Sequence, residues 1–240
     1  DFFFEFAGLL MDARHGSNAW RLQDLTALDE LPDYEEGYRG WGWSPAQGAP
    51  VDAEGNPVYY SIPESFDAAA NDGERWRWCL EQVAVNEPSR RNEVDYRFAT
   101  FLHQQFGVQT AAQRGIVLPR ADLDGDDDQA DESSVYAVRT LAEDETIANL
   151  ASGIKRFTLP QEFNFITIFR RLAEADDSYA ENSLSTLAGI FENRQQYPKA
   201  ATYWRESIER FGDNRNNSKQ QRLDQIVGNW GQFEPVESQA

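Results

Sequence analysis

The chain has 240 residues, with 22 Lys and Arg against 41 Asp and Glu, a formal charge of −19. A charge of that sign repels phosphate backbones and anionic headgroups, which argues against nucleic-acid or membrane-surface binding. Apolar residues are 40% and aromatics 13%, so the chain is expected to fold around a core, yet no apolar run approaches the ~20 residues of a transmembrane helix.

Residues 2–13 carry Phe2, Phe3, Phe6, Leu9 and Leu10 at helical spacing. The run "WRLQDLTALDELPDY" is expected to continue a helical hairpin as far as Pro32. The opening lacks an initiator Met, and its acidic character is unlike a signal peptide, so the chain reads as a piece of a longer protein. Residues 37–63 are rich in Gly, Pro and aromatics; "DAEGNP" between short apolar runs predicts a small β-hairpin near 50–60.

Helix is expected again over about 64–86. There Asn71 or Asp72 offers an N-cap, Glu74 a capping-box partner, and Trp76, Cys79, Leu80 and Val83 a stripe. Val94, Phe98, Phe101, Leu102 and Phe106 form the next stripe, closed by Gly107. These two helices are expected to pair as an antiparallel hairpin.

Residues 121–145 contain ten acids and one Arg. The segment 121–134 reads as a solvated loop or linker dividing a 1–120 region from a 135–231 helical region, with a 232–240 tail beyond. Its acids invite a calcium reading through Asp122, Asp124 and Asp126. In that register Asp127 replaces the turn glycine and Ser133 the closing bidentate acid. A solvated linker is the plainer reading, and no metal or other cofactor is expected.

Ile147, Leu150, Ala151 and Ile154 fall at helical spacing, and "TLPQEFNFITIFRRLAE" starts a further helix, apolar nearly all round. Residues 181–214, "ENSLSTLAGIFENRQQYPKAATYWRESIERFGDN", then bring Leu184, Leu187, Ala188, Phe191, Tyr197, Ala200 and Trp204 into one pattern. That pattern resembles a tetratricopeptide repeat, the helix–turn–helix unit of ~34 residues. Ser207 stands where a small Ala is usual and Gly212 where Pro often ends the second helix. The resemblance implies that Leu184, Leu187 and Phe191 face the partner helix, with Ala188 and Ala200 at the close crossing. It also implies a partner-binding face of Asn182, Ser185, Glu192 and Asn193. The segment 144–175 would be a degenerate helix pair one repeat upstream, and "SKQQRLDQIVGNWG" the helix covering the last repeat.

The strings "NDGERWRWCLEQ", "FATFLHQQFGVQT", "DETIANLASGIKRFTLPQEFN" and "IVGNWGQFEP" are similar to an N-terminal helical region of very large bacterial alpha-2-macroglobulin-like proteins. That resemblance covers nearly all of the chain. It implies an extracytoplasmic location, periplasmic or secreted, and a docking element preceding β-sandwich domains.

Cys79, Leu80, Glu81 and Gln82 spell C-x-E-Q, the pattern from which thioester proteins build a Cys–Gln bond. Here it lies inside a helical stripe, where a cysteine ordinarily serves as a small hydrophobe. His15 and His103 lack metal-ligand spacing, and no phosphate loop, G-x-S-x-G or H-E-x-x-H occurs.

The expectation is therefore a mainly α fold: an irregular, tetratricopeptide-like array of antiparallel helical hairpins with one small β-hairpin. Its function would be non-catalytic recognition of a protein or of other domains of the parent chain, without nucleic acid or membrane insertion; the sequence leaves the oligomeric state open and favours a monomer. Two alternatives stand beside it. One is a thioester-bearing helical domain using Cys79 and Gln82. The other is a helical carbohydrate-binding or carbohydrate-processing protein using the aromatic loop at 38–60 and tryptophans such as Trp41, Trp43, Trp76 and Trp78.

Overall fold

A computed structural model of the chain describes residues 1–11, 18–29, 48–112, 137–213 and 216–230. These are mainly helical, with one two-stranded antiparallel sheet. They divide into two compact units, Asp1–Val94 with Asn149–Gly153, and Asp95–Ala148 with Ile154–Ala240. The division falls within a helix, at Val94/Asp95; the acidic segment 121–134 and the tail 232–240 lie outside the described residues.

In the first unit, α1 (Phe2–Met11) packs on α3 (Asp72–Asn86). The α1 face carrying Phe4, Ala7 and Leu10 is buried, and Phe3 meets Trp78 edge-on at 5.7 Å. Between them, α2 (Asn18–Arg21) lasts one turn instead of running on toward Pro32. The reason is a competing use of the carbonyls that follow it. Leu22 O and Asp24 O accept the Gly73 and Asp72 amides, which satisfies the first turn of α3. The Asn71 side chain caps that turn by accepting from Glu74 N, and Glu74 Oε2 accepts in return from Ala70 N. The helix expected from residue 64 therefore begins at Asp72.

The β-hairpin expected near 50–60 forms in reduced form, as a turn with one antiparallel bridge and no extended strands. Its turn forms: Asp52 Oδ1 accepts from the Glu54 and Asn56 amides, at 3.0 and 2.8 Å. Asp52 N donates to Asn56 O and Val58 N to Pro50 O around one antiparallel Val51–Pro57 bridge, and the pairing goes no further. Pro50 and Pro57 each lack the N–H that a ladder needs.

The second unit takes α4 (Arg91–Phe106) from Asp95 onward and α5 (Gln109–Ala112). Within the first unit α3 packs on α1, and α4 belongs to the second unit from Asp95 onward. The helix expected across 147–154 is overturned, and with it the degenerate upstream repeat. Residues Glu145–Leu150 form β1 and Gly153–Thr158 form β2. Gly153, at φ 114°, closes the tight connection in a conformation that side chains rarely adopt. Thr146 through Leu150 are all buried, so both faces of β1 are covered and the apolar spacing carries no strand alternation.

Four consecutive helices follow: α6 (Phe165–Ala173), α7 (Ser178–Asn193), α8 (Tyr197–Phe211) and α9 (Ser218–Gln225). Each packs on the next. Asn164 caps α6, after a short 3-10 turn at Gln161–Phe163, and Asp177 caps α7. Gly212, at φ 73°, ends α8, while Asp213 accepts from Lys219 N and Gln220 N to start α9. Leu184, Leu187, Ala188, Phe191 and Ala200 are wholly buried in the α7/α8 hairpin. The two alanines leave room for the helices to approach, and each large side chain contributes about 1.5–3 kcal/mol of burial.

Candidate functional site

The α6–α9 segment presents the residues that the repeat pattern nominates. Asn182 and Asn193 are exposed on α7 and Ser185 is half-buried between them. Gly189 completes the row at i, i+3, i+7 and i+11, with open space beyond its Cα. The row is uncharged.

Glu192 differs from its three companions. Its carboxylate is 8% exposed and accepts from Trp204 Nε1 on α8 at 2.6 Å and from Arg222 Nε on α9 at 2.6 Å. It joins three helices and has little capacity left for a partner. A second ion pair, Lys219 Nζ to Glu181 Oε1 at 2.6 Å, repeats the α9–α7 link one end away, with Lys219 also donating to Gly212 O. Neither Lys219 nor Arg222 stands out in the sequence. Both lie in "SKQQRLDQ", and their spacing of three places them on one side of a helix.

A second polar cluster joins α6 and α8. Glu143 accepts from Arg170 at 2.5 Å and from Lys199 at 3.2 Å, and Arg170 Nε reaches the Tyr203 hydroxyl at 3.3 Å. Partial burial pushes the Glu143 carboxyl upward. The hydrogen bonds from Arg170 and Lys199 outweigh it and hold the group below the usual carboxylate range. The two cations are thus engaged with an internal carboxylate.

Behind this cluster Arg194 is wholly buried at the end of α7. Its guanidinium donates to Ala142 O at 3.0 Å and Glu145 O at 2.7 Å. Burial lowers its pKa to about 10, with Glu143 and Glu145 opposing the shift, so it remains a cation at neutral pH. Gln196 donates to Arg139 O and Leu141 O from the same turn. Together they fasten the α7/α8 turn to residues 139–145. A basic residue at the last helical turn is the only trace of this in the sequence.

The remaining sequence candidates are separate. Cys79 is fully buried in α3, a free thiol pushed up by burial to about 11, and Gln82 follows one turn on, half-buried. Trp76 is buried and Trp78 sits among Phe3 and Phe66, while Trp41, Trp43 and His15 lie outside the described residues. So do the calcium candidates Asp122, Asp124 and Asp126. Among the described residues, no group of three or more His, Cys, Asp or Glu side chains is placed to hold a metal ion, and no helix is long and apolar enough to cross a membrane. Comparisons with protein-family models, with curated proteins and with solved structures find no match.

Proposed function

We propose that this chain is a non-catalytic recognition scaffold. Its α6–α9 helices act as a tetratricopeptide-like surface for a protein partner or for other domains of a parent chain. The observation that carries the reading is the division of labour on α7. One face, through Leu184, Leu187, Ala188 and Phe191, is wholly buried, and the opposite row of Asn182, Ser185, Gly189 and Asn193 stays accessible and uncharged. Ion pairs to α9 flank that row and hold the helix in place. Hydrogen-bonding side chains on a rigid helix suit a partner with a polar or basic face, which the charge of −19 would attract. A position as the N-terminal helical part of a large alpha-2-macroglobulin-like protein rests on the sequence strings alone.

The test is site-specific photocrosslinking. A photoreactive residue replaces Asn182 or Asn193, with Thr202 on the exposed side of α8 as control. Adducts confined to the α7 positions and mapping to one polypeptide support the reading. An arginine at the same positions should then weaken binding of that purified polypeptide by about tenfold or more, ~1.4 kcal/mol. Adducts of equal yield at all three positions, or at none, overturn it.

A further inference from the structure

Between α8 and α9 lies an open groove of about 730 Å³, within the ~300–1,000 Å³ range of ligand-sized clefts. Ile208 and Glu209 line it from α8; Leu223 and Asp224 line it from α9, and Val227 and Gly228 from the π turn Ile226–Trp230 that continues it. Leu223, Asp224 and Val227 stand at i, i+1 and i+4, so one α9 face supplies both apolar floor and acidic rim. Ile208 and Val227 remain half-exposed. Two neighbouring helices with a partly apolar groove between them offer a seat into which a third helix can pack its own ridge.

The charges choose the occupant. Glu209 on one wall has no hydrogen-bond or ion-pair partner among the described residues. Asp224 on the other accepts, among the described residues, only from Gln220, a neutral donor on its own helix. Arg205, at the end of the groove, already has a partner of its own. The rim is therefore acidic on both sides of an apolar floor.

We propose that this groove docks an amphipathic helix of a partner protein, one whose apolar stripe is flanked by Lys or Arg. Apolar side chains at i, i+3/i+4 and i+7 would fill the trough over Ile208, Leu223 and Val227. Basic flanks would pair with Glu209 and Asp224, which adds rate and selectivity more than affinity. The proposal rests on the recognition-scaffold reading but uses a surface distinct from the α7 row.

Fluorescence anisotropy on the full chain tests it. The probe is a labelled Leu/Lys peptide of about 18 residues, five helical turns, with a scrambled peptide of the same composition and a Leu/Glu counterpart. At physiological ionic strength the patterned Leu/Lys peptide should bind at least about tenfold more tightly than either control. Glu209→Lys with Asp224→Lys should abolish that preference, while Glu64→Lys with Asp67→Lys, exposed acids elsewhere, should leave it intact. Absent binding, equal binding of the scrambled peptide, or indifference to the groove substitutions overturns the proposal. So does a dimer, seen by light scattering, that the groove substitutions dissolve, since the occupant would then be a second copy. The crosslinking at Asn182 and Asn193 reads the other face, so either result can fail without the other.

Discussion

Arg222 of α9 holds the nearly buried carboxylate of Glu192 on α7, its Nε donating at 2.6 Å. Apolar burial of α9 comes mainly from Leu223 and Ile226, and this pair, with Lys219–Glu181, supplies much of its attachment. Arg222→Ala leaves Glu192 bonded only to Trp204, a carboxylate largely out of water with one donor fewer. The Arg222 side chain is 40% exposed, so solvent and salt offset part of the cost; a loss of about 1–2 kcal/mol is expected. Urea unfolding should show it, and amide exchange should quicken across 218–226 before the rest of the unit. Unchanged exchange there would mean that α9 is held by its apolar contacts alone.

His103 gives the second unit a pH dependence. It packs against Phe165 and Phe169, at 5.3 and 6.4 Å between rings, and its Nε2 lies out of solvent without a partner among the described residues. Burial first, with help from the nearby Arg194 charge, pulls its pKa down to about 4, against a contribution from Gln109 in the other direction. A base with a depressed folded pKa binds fewer protons folded than unfolded. Stability should therefore rise with pH between about 4 and 6.5, by at most about 3 kcal/mol. Glu81, Glu143 and Glu145 are held below the usual carboxylate range, and their contribution is lost only as pH falls below about 4.5. His103→Leu should flatten the stability curve between pH 5 and 6.5 and leave the more acidic limb in place; an unaltered curve in the upper window would rule His103 out as its source.

Amphipathic helices were legible because their burial repeats at the helical period. The repeat pattern puts Leu184, Leu187, Ala188 and Phe191 inward, and all four are wholly buried. The same rule misled at 147–154. Ile147, Leu150, Ala151 and Ile154 have helical spacing, but a strand covered on both faces shows no alternation to correct the impression. The β-branched Thr146 and Ile147, with Gly153 at a positive φ, were the competing signals. Long-range anchors leave little more than a basic residue at a helix end: Arg194 is chosen by the carbonyls of Ala142 and Glu145, some fifty positions away in the chain. Glu192 was assigned to a binding face by position in the repeat, and only the fold shows that Trp204 and Arg222 occupy it.

Ser207 stands where the repeat pattern has a small apolar residue, and the fold shows the consequence. It is wholly buried in α8, and its hydroxyl has no hydrogen-bond partner among the described residues. Ser207→Ala removes an unsatisfied polar group, nearly conserves volume and improves helix propensity. A gain of about 1 kcal/mol is expected, read as a higher urea midpoint at unchanged slope. A loss of similar size would show that the hydroxyl has a partner, such as a buried water.

Cys79 decides between a passive helix and a covalent trap. The thiol is fully buried on the inner face of α3 and pushed up to about 11, so it is protonated at neutral pH and shielded from reagents. An aromatic disulfide reagent should titrate one thiol only after unfolding in urea, with little reaction in buffer. The intact mass under denaturing conditions should equal the full sequence mass and should not change after methylamine treatment. A mass short by one ammonia, restored as a methylamine adduct, would instead establish a Cys79–Gln82 thioester. α3 would then have to open around that pair, and the scaffold reading would give way to covalent capture.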